Sequence, residues 1–281
     1  GSDYCDILCC REEVSLLPEI LDALLARHGW DHLWWGGMRE DSLIFTALER
    51  WCERRPLLAK RFSSSSAPFI TINQSWDEFR KNLNKSLVRT CARRERRLRE
   101  IGELQFGVCE KGKMSEFVTL LIEEKRRQYR DPAENSVFAA EEWPYFLGEI
   151  AEIFYEKRRL DLSYMALSGK TIARAMSFVY GGRVSLYISA FDSEFGRYSP
   201  GKLLLNFLIE RAHRDGMDEF DFLTGAENYK YDWTQDERKV YTFNSYRWSA
   251  PALWSVAAGK IKGRFLKGQA GFTAAGAHSS Q

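Results

Sequence analysis

One stretch of the chain has residue types and spacing suited to chemistry on an anionic substrate. An apolar strand, 184–191, gives way to a polar loop, DSEFGRYS, and Pro200-Gly201 then opens a helix. Proline in the first turn of a helix forfeits no hydrogen bond, and glycine lets a ligand approach the backbone. Free N–H groups and the positive end of the helix dipole make an anion site there, with phosphate or pyrophosphate as its natural guest. Arg197 and Lys202 flank it with positive charge. A plain helix start after a loop is the other reading of the same dipeptide. Further on, Asp221, Glu227, Tyr229 and Lys230 crowd the exit of a short strand. Glu227 follows that strand and Gly225, where a side chain can point into a cleft and take a proton as general base. Asp221 alternates with Phe220 and Phe222, so it faces away from both rings. A carboxylate inside a strand needs a partner, and Lys230 is the nearest candidate. That pair is either structural or part of the chemistry.

The elements that must position these residues follow from periodicity. Residues 3–10, DYCDILCC, read as a buried strand. Val14, Leu17, Ile20, Leu21, Leu24 and Leu25 give the i, i+3, i+4 pattern of an amphipathic helix that starts near Pro18 and stops at Gly29. A strand ending in Gly36-Gly37 and a helix capped by Asp41 or Ser42 and running to about Arg55 come next. The serines of RFSSSSAPFITI read as a turn before a strand that resumes at Pro68. Residues 75–99 read as helical throughout, 103–109 as a strand, and 114–130 and 138–158 as helices. Three apolar runs joined by SGK and GGR form an antiparallel meander. A helix over 201–215, strands over 219–223 and 239–248, a helix over 251–266 and a frayed tail complete the chain.

The chain has 281 residues, with 41 Lys+Arg against 39 Asp+Glu. A net charge of +2 gives no bulk argument for nucleic acid or membrane as a partner, and the expectation is neither nucleic acid nor a membrane span. The aromatic share of 14% excludes a disordered chain. Six cysteines at 5, 9, 10, 52, 91 and 109 form no CxxC, and none lies at ligand spacing from a histidine, so no metal is expected. Buried free thiols fit a reducing cytoplasm. Residues 85–99 hold seven basic residues and one acid. Arg89, Arg93, Arg96 and Arg97 share one face, opposite a stripe of Leu87, Cys91 and Leu98; it is either a solvated face or a contact for phosphates or an anionic glycan. His213, mid-helix, reads as structural. A short echo links His28-Gly29-Trp30-Asp31 before one strand and Asp215-Gly216-Met217-Asp218 before another.

The order meander, PG-initiated helix, strand, further strand resembles that of the GNAT acyl-CoA N-acyltransferases. The segment YSPGKLLLNFLIERAHRDGMDEFDFLTGAENYKYDW resembles the CelD/BcsL-type acetyltransferases of that superfamily, linked to cellulose and exopolysaccharide biosynthesis. Its matching positions are Pro200, Gly201, Leu203, Leu204, Gly216, Phe220, Asp221, Phe222, Gly225, Glu227, Tyr229 and Lys230. SWDEFRKNLNKSLVRTCARRERRL and SDYCDIL resemble the family's helix pair and N-terminal strand, so the likeness runs over about 2–247. The related FemABX transferases share a twin-unit layout, which the echo fits.

The resemblance implies an α/β fold of tandem GNAT-like units, the first incomplete and over 1–72, the second over 73–266, with a tail at 267–281. The chain then reads as a fragment or truncated product. It implies acyl-CoA-dependent N-acyl transfer, with acetyl-CoA as co-substrate, to an amino sugar or small amine in polysaccharide biosynthesis. The pantetheine arm would lie along VSLYISAF, with a backbone N–H near Ser189, Ala190 and Phe191 facing the developing oxyanion. Its pyrophosphate would sit on the N–H groups of Gly201, Lys202 and Leu203. Glu227 would be the base, and Tyr229 either the acid that protonates the leaving thiolate or a packed ring. Arg197 to Leu203 departs from the common R/Q-x-x-G-x-G/A loop. A FemABX-like aminoacyl transferase using aminoacyl-tRNA is the rival enzyme, and a non-catalytic GNAT-like regulatory module the rival of another class.

Overall fold

In the computed structural model, residues 3–6, 11–27, 30–53, 59–128 and 140–246 are described. A 3-10 turn, Arg11–Leu16, leads into α1 (Leu17–Arg27), with Pro18 in the first helical turn, where its missing N–H costs nothing. There follow β1 (His32–Arg39), α2 (Leu43–Glu53) and β2 (Ala59–Thr71). α3 (Trp76–Asn82) opens on a capping box in which Ser75 and Glu78 satisfy each other's backbone N–H. Asn84 caps Ser86 N and starts α4 (Lys85–Ile101). β3 (Leu104–Val108), α5 (Met114–Gln128) and α6 (Trp143–Glu156) come next, then β4 (Leu160–Leu167), β5 (Lys170–Tyr180) and β6 (Arg183–Phe191). Positive φ at Ser168, Gly169, Gly181 and Gly182 marks the two tight hairpin turns of this meander. A 3-10 helix, Ser193–Tyr198, precedes α7 (Pro200–Arg214), β7 (Glu219–Asp221), α8 (Asn228–Tyr231) and β8 (Glu237–Tyr246).

Two compact units divide these residues. The first takes those up to Pro68, Thr224–Ala226 and those from Glu237 onward; the second takes Phe69–Leu223 and Glu227–Asp236. In the first unit β8 pairs antiparallel with β1 and with the first ten residues of β2. α1 and α2 bury Leu17, Leu21, Ile44 and Leu48 against Met38 and Phe243. Trp51 Nε1 donates to Asp22 Oδ1 at 2.6 Å, tying the two helices.

In the second unit, residues 69–71 of β2 pair with β7, β7 with β6, and β6, β5, β4 and β3 continue antiparallel. One side chain layer buries Leu98, Ile172, Leu204, Leu208 and Phe220 with α4 and α7; the other buries Val118, Leu121, Ile122, Leu147 and Met176 with α5 and α6. β6 carries an extra residue opposite Met176–Ser177, so that Leu186 pairs with Ser177 and Ile188 with Met176. The bulge at Tyr187 changes which face even-numbered residues take. Val184 and Leu186 join the first layer, Ile188 and Ala190 the second.

Three sequence expectations need correction. The four serines lie inside β2, where Ser63 to Ser66 pair with Thr242 to Lys239; a partner strand supplies the backbone bonds that the side chains do not signal. Residues 3–6 form no strand, although Cys5 N donates to Gly37 O at 2.7 Å. The loop before α7 is a 3-10 helix, begun by Asp192 accepting from Glu194 N. The expectations for 7–10, Gly29, the helix over 251–266 and the tail lie outside the described residues.

Candidate active site

The site is built where two parallel strands part, within the second unit. β6 and β7 pair only through Arg183↔Glu219, Val184↔Phe220 and Ser185↔Asp221. β7 then ends, while β6 runs on to Phe191 with β5 along one edge. An edge without a neighbouring strand presents N–H and C=O groups to whatever fills the gap. Ser189, Ala190 and Phe191 lie on this stretch, opposite Ala175, Arg174 and Ala173 of β5. Phe191 O already accepts from Gln128 Nε2 of α5 at 3.1 Å.

At one end of the gap stands the start of α7. Ser199, the residue before the helix, takes a left-handed conformation (φ 48°, ψ 58°). Its carbonyl accepts from Lys202 N at 3.0 Å and Leu203 N at 3.2 Å. The expected anion donors are thus reduced: those two N–H groups are spent inside the turn. Gly201 N–H is the donor of that turn with no acceptor among the described residues. Gly201 also packs closely, since a Cβ there would stand 3.2 Å from Phe191 Cδ1. The close approach of the Phe191 ring favours glycine at this point of the cleft wall, which also suits a ligand. Lys202 Nζ is paired with Asp232 Oδ2 at 2.7 Å, and Arg197 is exposed, stacked 4.8 Å over the Tyr198 ring. The cation that does reach this point is Arg94 of α4, which donates to Ser199 Oγ.

At the strand exit, Asp221 and Lys230 converge on one strained residue. Leu223 has φ 59°, a conformation that costs a side-chain-bearing residue about 1–2 kcal/mol. Its N–H donates to Asp221 Oδ1 at 2.8 Å, and its carbonyl accepts from Lys230 Nζ at 3.3 Å. Backbone held in such a region by its surroundings is a mark of functional sites. Asp221 is fully buried and the Lys230 side chain 3% exposed. Glu227, at the residue before α8 and capping nothing, turns its carboxylate to 2.8 Å from Lys230 Nζ. Tyr229 lies at the surface.

α5 adds charged groups that the sequence reading passed over. Burial of its amine end pushes the Lys125 pKa down; the Glu227 carboxylate opposes that shift and Lys230 reinforces it. Glu124 pairs with Arg174 of β5, and burial pushes its carboxyl above the usual range despite that partner. The signal for these residues is a charge at an apolar stripe position. Arg94 falls at i+3 from Cys91 and i+7 from Leu87, two buried stripe residues of α4. Lys125 falls at i+4 from Leu121 and i+3 from Ile122, both buried on α5. The row Arg89, Arg93, Arg96 and Arg97 is exposed to solvent.

The family model described as acetyltransferase (GNAT) domain matches residues 85–231, more than half of the chain. Curated proteins give no match. Among solved structures, FemX is similar over 87% of this chain and 79% of its own, at 10% identity and a TM-score of 0.58. The C-terminal domain of a putative lysylphosphatidylglycerol synthetase from Agrobacterium fabrum is similar over 92% and 81%, at 11% identity and 0.57. A conserved protein of unknown function from Bacteroides thetaiotaomicron is similar over 83% and 75%, at 13% identity and 0.55. At these identities the likeness is one of fold. The parted strands, the helix begun by Pro200-Gly201 and the family match over 85–231 lead to one conclusion: the chain belongs to the acetyltransferase (GNAT) domain family.

Proposed function

We propose that the protein transfers an acyl group from acyl-CoA to an amine, an amino sugar of a polysaccharide pathway, in the cytoplasm. The observation that carries this reading is the parting of β6 from β7 after three paired residues, with Gly201 N–H and Arg94 at the start of α7 and the Glu227–Lys230 pair after the exit of β7. The free edge of β6 suits an amide-bearing arm, which can pair with it like a strand. Gly201 N–H, the α7 dipole and Arg94 suit a pyrophosphate. A backbone N–H near Ser189–Phe191 would face the oxyanion. Glu227 would accept the amine proton, directly or through one water, a role worth about 10²–10⁴ in rate. Tyr229, at the surface, would return a proton to the leaving thiolate.

The fit to acyl-CoA rests on fewer donors than the sequence suggested, because Lys202 is neutralised by Asp232 and two N–H groups are spent. That shortfall, with the fold likeness to FemX, favours a second reading in which the acyl donor is an aminoacyl ester on tRNA. Calorimetric titration with acetyl-CoA tests the first. The wild type should bind, Arg93→Ala should bind equally, and Arg94→Ala should bind about 10–100-fold more weakly, the range for a charge-assisted hydrogen bond. Equal affinity of the two arginine variants would remove the pyrophosphate assignment. A wild type that ignores acetyl-CoA but consumes aminoacyl-tRNA would establish the second reading.

A further inference from the structure

Two adjoining hollows on the second unit are unused by the reading above. The first, of about 480 Å³, lies where α3, α4, the start of α7 and the segment after α8 meet. Amides and hydroxyls dominate its polar wall, including Gln74, Asn82, Asn84, Thr90 and Gln235; its one cation, Lys202, is neutralised by Asp232. The side chains of Gln74, Asn82 and Thr90 have no hydrogen-bond partner among the described residues. Trp233, 2% exposed, lines the same hollow, and its Nε1 is buried in the wall without an acceptor among the described residues.

The second hollow, of about 730 Å³, shares Leu83 with the first. Arg80, Lys81, Lys85 and Arg89 line it, against one acid, Asp77. None of the four cations has a carboxylate at ion-pair distance among the described residues. Lys85, Arg89 and Arg93 follow one another along α4 at about 6 Å of rise per step, so positive charge continues beyond the hollow in a row.

We propose that the two hollows form one docking groove for an acidic polysaccharide, the neutral hollow taking a hydroxyl-rich ring and the basic one its anionic groups. Hydroxyls both donate and accept, which matches the amides of the first hollow better than a phosphate would. A neutral glycan would leave four cations unused. A single-stranded nucleic acid asks for a run of exposed aromatic faces to stack on, whereas Phe79 and Trp233 are buried in the wall at 8% and 2% exposure and Tyr231, half-buried, is the one other ring in the lining. The proposal deepens the acceptor part of the function given above and rests on it, but binding is measured without any acyl donor.

The test is calorimetric titration of the full chain with an alginate hexasaccharide, cellohexaose and hexauridylate, at low and moderate salt. The alginate oligomer should bind best. Lys85→Gln/Arg89→Gln should weaken it about tenfold at low salt and flatten its salt dependence, because fewer counterions are exchanged. Asn82→Leu, or Thr90→Val should Asn82→Leu fail to fold, should weaken it equally at both salt levels. Acetyl-CoA binding should be unchanged in all of these variants, which separates failure of the groove from failure of the donor reading. Cellohexaose binding as tightly as alginate, hexauridylate binding more tightly and responding to the same variants, affinity untouched by the variants, or no binding of any oligomer at about 1 mM would each overturn the proposal.

Discussion

Glu227→Gln separates a catalytic carboxylate from a structural one, because the structure gives that residue two duties. Its carboxylate stands 2.8 Å from the Lys230 ammonium, with side chains 18% and 3% exposed. Removing the negative charge takes the Glu227 carboxylate from the buried Lys230, which keeps the Leu223 carbonyl at 3.3 Å and a neutral amide among its contacts. Breaking one side of a buried pair costs about 3–5 kcal/mol; the amide oxygen still accepts a hydrogen bond, which puts the expected cost near the lower end, about 3 kcal/mol. In a domain of this size about 1 kcal/mol moves Tm by 2–4 °C, so Glu227→Gln should melt about 6–12 °C lower. Glu227→Gln/Lys230→Met removes both charges and should recover most of that loss, since a buried pair replaced by apolar groups is close to neutral. Turnover should fall about 10²–10⁴-fold in the single variant and stay low in the double, with the loss easing as pH rises and more acceptor amine is already neutral. Melting followed by circular dichroism and steady-state acyl transfer from pH 6 to 9 supply both readouts. A single variant that melts like the wild type would refute the coupling. Full turnover across that range in a destabilised variant would make the pair structural and place the base elsewhere.

Lys125→Met should stabilise the protein at neutral pH. A lysine whose folded pKa is lowered contributes stability above its ordinary value near 10.5, and that contribution is lost as pH falls through the lowered value. The variant's advantage in melting temperature should therefore be largest at pH 7 and shrink toward pH 10; an advantage that does not change with pH would mean Lys125 stays charged in both states. Gly201→Ala places a Cβ 3.2 Å from Phe191 Cδ1 and should cost about 1–3 kcal/mol in urea unfolding, recovered by Gly201→Ala/Phe191→Leu. No loss in the single variant would show a wall that yields.

Local chemistry made much of the second unit legible. Ser75 and Glu78 announce α3, and Pro200 fixes the start of α7. The SGK and GGR turns pin the meander, because positive φ is needed at their centres. Asp221, Glu227 and Lys230 were visible as a cluster since they fall within ten residues of one another. Other features depend on partners distant in sequence. The serines of β2 become strand only because β8 lies beside them, over 170 residues later. The Lys202 and Leu203 N–H groups looked available until the left-handed Ser199 turned its carbonyl onto both.

The sequence by itself determined the longer helices and the meander strands of the second unit and the α7 start, but not the 3-10 helix before α7 or the short α8. It also determined that carboxylates and a lysine follow β7, because caps, turns and alternation act over a few residues. Tertiary structure alone decided which charges meet. Arg94 reaches Ser199 across 105 positions, and Lys125 and Glu227 influence each other from α5 and the residue before α8. A charged residue at an apolar stripe position signals that something buried must answer it. Which group answers is set by the helix that packs there, and burial fixes how strongly the two interact.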